Sequence, residues 1–217
     1  MRIMKGSVKL ILLGILSLFV VGIIFNGCSK YNSLVEKDEK MNEERAKVKT
    51  AWSKVENQYQ RRADLIPNLV ETVKGYTKYE KEIITNIEAA RNGILSIKKA
   101  NPDDPNSVKE YVERQNRYNL NTWLMPMILQ YPELKANQQF VNLQTQLEGT
   151  ENRITVARND YINQVNSYNE AVQSYNTYIR KFPNNIYAGI FGFHRREMME
   201  NPFKAKEGTE VAPTIKF

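Results

Sequence analysis

The sequence predicts an all-α protein, an antiparallel bundle of four long helices behind an N-terminal membrane anchor. Two heptad seams and one apolar leader carry that reading. The longer seam runs through Phe140, Leu147, Ile154, Tyr161, Tyr168 and Tyr175, each seven residues after the last, with Gln144, Glu151, Arg158, Val165, Val172 and Ile179 four further on. Between Leu134 and Lys181 only Gly149 weakens it, so the rod is roughly 70 Å long at about 1.5 Å per residue. Such a stripe of apolar side chains must be covered by partner helices. Glycine (10) and proline (8) are sparse among the 217 residues and strand-like alternation is absent, which excludes a β fold.

The N-terminus departs from this pattern. Arg2, Lys5 and Lys9 precede Leu10 to Phe25, a run of sixteen residues without a charge. This run is a signal or anchor segment over residues 1–28, borderline in length for a tilted span. Positive charge before it sets the topology as N-in, with the body, residues 29–200, on the far side of the membrane. Residues 201–217 read as an extended tail. Cys28, the only cysteine, follows the run directly, and Gly27 precedes it. Two readings stay open: a lipidated N-terminus after cleavage, or a free thiol at the end of an uncleaved anchor.

The second seam contains Leu34, Met41, Val48, Val55, Arg62, Leu69 and Tyr76, interleaved with Asp38, Arg45, Trp52, Tyr59, Ile66 and Val73. Pro67 lacks an amide donor and leaves the Ala63 carbonyl unpaired, so a kink is expected there, with Gly75 marking the end. A third helix spans 79–99 with Ile83, Ile87, Ala90, Ile94 and Ile97 on one face. The Asn101 to Ser107 turn follows, and Ser107 with Glu110 has the spacing of a capping box for the fourth helix. That helix carries Val108, Tyr111, Val112, Tyr118, Trp123, Leu124 and Met127.

Arg61-Arg62-Ala63-Asp64-Leu65-Ile66-Pro67-Asn68-Leu69-Val70, with Trp52 and Tyr31-Asn32-Ser33-Leu34-Val35 before it, resembles the signature of the LemA family of bacterial membrane-associated proteins. Ala89-Ala90-Arg91, Tyr131 to Asn137 with Phe140, Leu143 and Gln144, Thr150 to Ile154, Tyr168-Asn169, Tyr175-Asn176 and Phe182-Pro183 resemble its further blocks. The resemblance covers Tyr31 to Phe193 and implies an anchor followed by a long-helix bundle, without an activity. Pro126 and Cys28 depart from the family pattern.

The chemical inventory is thin. One histidine, His194, and one cysteine leave no His/Cys zinc set and no Cys-His dyad, and no glycine-rich phosphate loop occurs, so neither a catalytic, a metal nor a cofactor site is expected. Asp103-Asp104 lies in a proline-rich turn and reads as solvated. The formal net charge of +7 includes Arg2, Lys5 and Lys9, so it is a mild +4 without the leader, and no basic stripe points to nucleic acid.

Four polar residues on the seams, Arg62, Gln144, Glu151 and Arg158, are expected to form a polar layer that fixes register, with Arg62 meeting Glu151. A ligand pocket in the bundle is the alternative use of that layer. After the long helix, Tyr187, Ile190, Phe191, Phe193, Arg195 and Arg196 form a candidate membrane-interface segment. Its aromatics instead cap the base of the bundle in the competing reading, Phe182 and Ile186 more so than Phe191 and Phe193. The function these features predict is a non-enzymatic, membrane-tethered scaffold or adaptor with an envelope protein partner, and the alternative is a small-ligand or signal sensor.

Overall fold

The computed structural model describes residues 2–74, 81–117, 129 and 136–203, and among them every helix or strand assignment is helical. The protein is all-α. The elements are α1 (Arg2–Asp64), α2 (Ile66–Lys74), α3 (Lys81–Leu95), α4 (Pro105–Arg117), α5 (Gln138–Arg180) and α6 (Asn184–Phe191). Helix α1 is continuous from the basic leader through Cys28 into the body. Tyr76, Gly75 and Val73, the end of the first expected seam, have no described side chains, and Pro126 with the fourth helix beyond Arg117 also lies outside the described residues.

The kink expected at Pro67 takes the form of a break two residues earlier, at Leu65. Leu65 leaves the helix, donating to the Arg62 carbonyl at 3.2 Å in a tighter i−3 bond, and α2 restarts at Ile66 with Pro67 in its first turn. The α4 start also differs from the expectation. Asp104, not Ser107, caps it: Asp104 Oδ1 accepts from the Asn106 amide at 3.0 Å, and Pro105 occupies the first helical position, where a missing donor costs nothing. The Ser107 hydroxyl accepts from the Asn101 amide instead, and Glu110 pairs with Arg114. Asn137 caps α5 by accepting from the Gln139 and Phe140 amides at 2.7 and 3.0 Å.

Burial follows both seams with one systematic change. In α5 the buried partners of Phe140, Leu147 and Ile154 are Leu143, Thr150 and Ala157, three residues on; beyond Tyr161 they are Val165, Val172 and Ile179, four residues on. Helix α1 repeats the change, from Glu44 and Ala51 beside Met41 and Val48 to Tyr59 and Ile66 beside Val55 and Arg62. A helix of 3.6 residues per turn falls about 20° behind a seven-residue repeat in each heptad, so the buried face drifts from one flank of the stripe to the other.

The chain divides into two compact units, Met1–Glu44 with Ser167–Met198 and Arg45–Asn166 with Met199–Phe217. In the first, Leu34, Met41, Val172, Tyr175, Ile179 and Ala188 form the core, with Tyr168, Tyr187 and Phe193 packed against it. In the second, Ala63, Ile66, Leu69 and Val70 pack with Ile87, Ile94, Phe140, Leu143 and Leu147. Of the expected tail, only its start is described: Phe203 stacks edge-on against Tyr161 at 5.8 Å.

Candidate functional site

Arg62 sits where the α1 seam calls for an aliphatic residue, and it is 1% exposed. A guanidinium in that position must be paired on several sides, because desolvating it unpaired costs several kcal/mol. Its Nη1 donates to Glu151 Oε1 at 3.1 Å, while Nη2 donates to the Gln115 carbonyl at 2.8 Å and to Gln115 Oε1 at 3.0 Å. The Tyr59 ring lies against its Cζ at 5.0 Å. The Gln115 carbonyl belongs to α4, so Arg62 ties α4 to α1 as well as pairing with Glu151 of α5.

An aromatic wall continues from this knot. Trp52 and Tyr111 meet edge to face at 5.5 Å, Trp52 and Tyr161 at 5.4 Å, and Tyr59 and Tyr111 at 5.8 Å. Burial pushes the Tyr111 phenol up to about 12, Glu56 adding to the shift and a hydrogen bond from Gln115 opposing it. Burial likewise pushes Tyr161 up to about 12, with Asp103 adding to it. Tyr59 is raised by burial against the opposing charges of Arg158 and Arg62. Trp52 Nε1, Tyr59 Oη, Glu56 Oε1 and Arg62 Nε are buried without a hydrogen-bond partner among the described residues.

The four seam residues do not form a single layer. Arg62 and Glu151 come together, but Gln144 donates along its own helix to Glu148 at 3.0 Å, and Arg158 lies over the Phe203 ring at 4.4 Å. Helix drift explains this, since Leu143, Thr150 and Ala157 occupy the interior at those levels and the residues one further on turn toward the rim. Gln115 is the member the sequence reading missed. Its signal was present: it continues the Val108, Tyr111 and Val112 face by one more turn, and all four are buried.

Chemically, the knot is an ion pair with two further hydrogen bonds to Gln115. Glu151 keeps 29% of its side chain exposed. The acidic pair in the turn is also accounted for: Asp103 receives Lys49 at 2.8 Å and Arg45 at 2.9 Å, while Asp104 caps α4. Against the cost of burial, Lys49 and Arg45 hold the Asp103 carboxyl below its usual range. Among the described residues no group of His, Cys, Asp and Glu could hold a metal ion.

A second candidate surface lies in the unit containing α6. Cys28 is exposed there. Helix α6 ends at Gly192, whose φ of 75° suits a residue without a Cβ, and the Phe193 amide donates back to the Ala188 carbonyl at 2.9 Å. That turn folds Phe193 onto the core, where Tyr31 meets Phe191 at 5.0 Å and Phe193 at 6.1 Å, and Tyr187 stacks on Phe191 at 6.3 Å. The expected order is thereby reversed: Phe182 and Ile186, expected to cap the base, are 80% and 51% exposed, whereas Phe193 is half-buried. Ile190 is 70% exposed. Arg196 pairs with Asp38 at 3.1 Å, and Arg195 faces solvent.

Residues 51–217 match the sequence model of the LemA family. The chain belongs to the LemA family. No curated protein matches it. In LemA terms, the signature Arg61 to Val70 is the break between α1 and α2 together with the arginine knot, and Ala63, Ile66, Leu69 and Val70 within it are core. The Thr150 to Ile154 block supplies Glu151 to that knot. Tyr175-Asn176 holds the segment after α6: the Tyr175 hydroxyl donates to the His194 carbonyl at 3.0 Å, and the Asn176 amide both donates to and accepts from the Arg196 backbone, at 2.8 and 3.0 Å.

Proposed function

We propose that this LemA-family chain is a non-enzymatic, membrane-tethered scaffold or adaptor of the bacterial cell envelope, with α1 serving as both tether and first rod of an antiparallel bundle. The supporting observation is the outward display of Leu13, Ile15, Leu16, Leu18 and Val21, all large, apolar and exposed, on a helix that continues into the body. Apolar display of this kind calls for a nonaqueous cover. Among the described residues no helix is long and apolar enough to cross a membrane, and several side chains of the Leu10 to Phe25 run lie outside those described. The three basic residues before the run support an N-in orientation with the body outside the cytoplasm.

Antiparallel pairing of α1 with α5 is supported within each unit by contacts that advance along one helix as they retreat along the other. In one unit Trp52 meets Tyr161 and Arg62 meets Glu151. In the other, Lys37 donates to Ser174 while Leu34, earlier in α1, packs in the cluster that holds Ile179. A bound role follows more naturally than catalysis, because Arg62, the one buried cation among the described residues, is already engaged by Glu151 and Gln115.

The test is crosslinking of the full chain in intact membranes after an alkaline wash, followed by pull-down. Retention with a reproducible envelope protein supports the scaffold reading; release into the wash removes the tether. A second reading, a small-ligand sensor, is favoured by the buried unpartnered atoms Trp52 Nε1, Tyr59 Oη and Arg62 Nε. It demands thermal stabilisation of the purified chain by a metabolite and loss of that stabilisation in Tyr59→Phe.

A further inference from the structure

We propose that the outward face of α6 and the turn before it, Phe182, Ile186 and Ile190, lies in the headgroup layer of a lipid membrane, making a second, shallow contact beside the tether. The inference rests on the proposed membrane tethering of α1. Ile186 and Ile190 are four residues apart and share one face of α6, with Phe182 just ahead of them. All three are more than half exposed. The opposite side of α6 is where packing occurs, through buried Asn184 and Ala188. Tyr187 packs on the core and Phe191 meets Tyr31, while Ile186 and Ile190 stand on the outer face, and an outward apolar pair with Phe182 ahead of it calls for an apolar cover.

Lipid is favoured as that cover by position along α1. A Cβ placed on Gly27 of α1 would lie 3.7 Å from Tyr187 Cε1, so α6 abuts α1 two residues after the apolar run ends at Phe25. Two residues of helix rise roughly 3 Å. The headgroup region beyond the hydrocarbon is roughly 5–7 Å deep on each side, so Tyr187 falls within it when Phe25 marks the hydrocarbon edge. The surroundings fit that depth. Arg180, Lys181 and Arg195 are exposed in the same unit, which suits anionic headgroups, and Tyr187, Tyr31 and Phe191 supply the aromatic belt typical of the interface. Arg196, engaged by Asp38, and Phe193, packed on the core, are positioning residues and not part of the contact.

The full chain decides the matter with Cys28→Ser as background and a single environment-sensitive fluorophore on Ile190→Cys, on Leu16→Cys, or on Lys54→Cys as a water-exposed control. Each is reconstituted into phosphatidylcholine vesicles containing phosphatidylglycerol. The expected result is blue-shifted emission from position 190, strong quenching by lipid spin-labelled near the headgroup, weaker quenching by lipid labelled mid-chain, and protection from aqueous iodide. Iodide quenching at 190 equal to that at 54 overturns the inference. So does protection from iodide without quenching by either lipid, which marks a protein cover such as a second copy of the chain. Position 16 reports separately on the tether: mid-chain lipid quenching there with a water-exposed 190 leaves the tether standing and removes only the α6 contact, whereas a water-exposed 16 removes the tether while 190 still answers for itself.

Discussion

The two compact units draw on the same two long helices and close their interiors by different means. Around Leu34, Val172 and Tyr175 the core cluster is apolar, with the Tyr175 phenol donating outward to the His194 carbonyl. Around Arg62 the interior holds a guanidinium, a carboxylate, the Gln115 backbone carbonyl and a wall of four aromatic rings. Apolar packing tolerates many arrangements of similar volume, whereas a buried guanidinium tolerates only those that meet its donors. The first unit therefore gains cohesion from area, and the second gains a defined register of α1 against α4 and α5.

The largest test of that contrast is Arg62→Met, which strands Gln115 and Glu151 while keeping volume. It is expected to destabilise the chain by about 3–5 kcal/mol, toward the lower end because Glu151 is partly solvated. Urea unfolding reads the loss, and a double-mutant cycle with Glu151→Gln should give a coupling of about 1 kcal/mol or more. A vanishing coupling would reduce the knot to the Gln115 contacts alone. Leu34→Ala comes next, at about 2–4 kcal/mol, through the transfer term and the cavity it leaves. Refilling that space with Leu34→Met should recover most of the loss, whereas Arg62→Lys should recover little, since an ammonium cannot reach both partners with a planar fork.

Much of this was legible from spacing. Leu34, Met41, Val48, Val55 and Arg62 on α1, Leu69 on α2, and Phe140, Leu147, Ile154, Tyr161 and Tyr175 on α5 are all buried, as a seven-residue repeat requires. Which residues flank them was not legible, because the flank depends on twist accumulated over several turns; Gln144, Glu151 and Arg158 were read on the seam where Leu143, Thr150 and Ala157 stand. The fate of the C-terminal aromatics was also hidden. For Phe193 it turns on Gly192, a left-handed residue that sends the following side chain inward. The family motif located Arg62 and Glu151 but not Gln115, which meets Arg62 through both its backbone carbonyl and its side-chain Oε1.

Tyr175→Phe tests the apolar unit more gently. Losing one hydroxyl that donates to the His194 carbonyl should cost about 1 kcal/mol and loosen the segment after α6, visible as faster amide exchange at Phe193 and Arg196. The smallest effect, nil at neutral pH, belongs to the aromatic wall. Tyr111 and Tyr161 are held near 12 by burial, above the usual phenol value of 10. A phenol whose value is raised on folding contributes stability that is complete below pH 10 and is lost as pH climbs toward 12, because the unfolded chain releases the proton first. Unfolding free energy should thus fall over that interval, and phenolate absorbance should show a late group titrating together with unfolding. Tyr111→Phe and Tyr161→Phe should each flatten the alkaline slope. An unchanged slope in both variants would place the alkaline sensitivity elsewhere, Tyr59 of the same wall and Tyr175 of the other unit being the further phenols raised by burial.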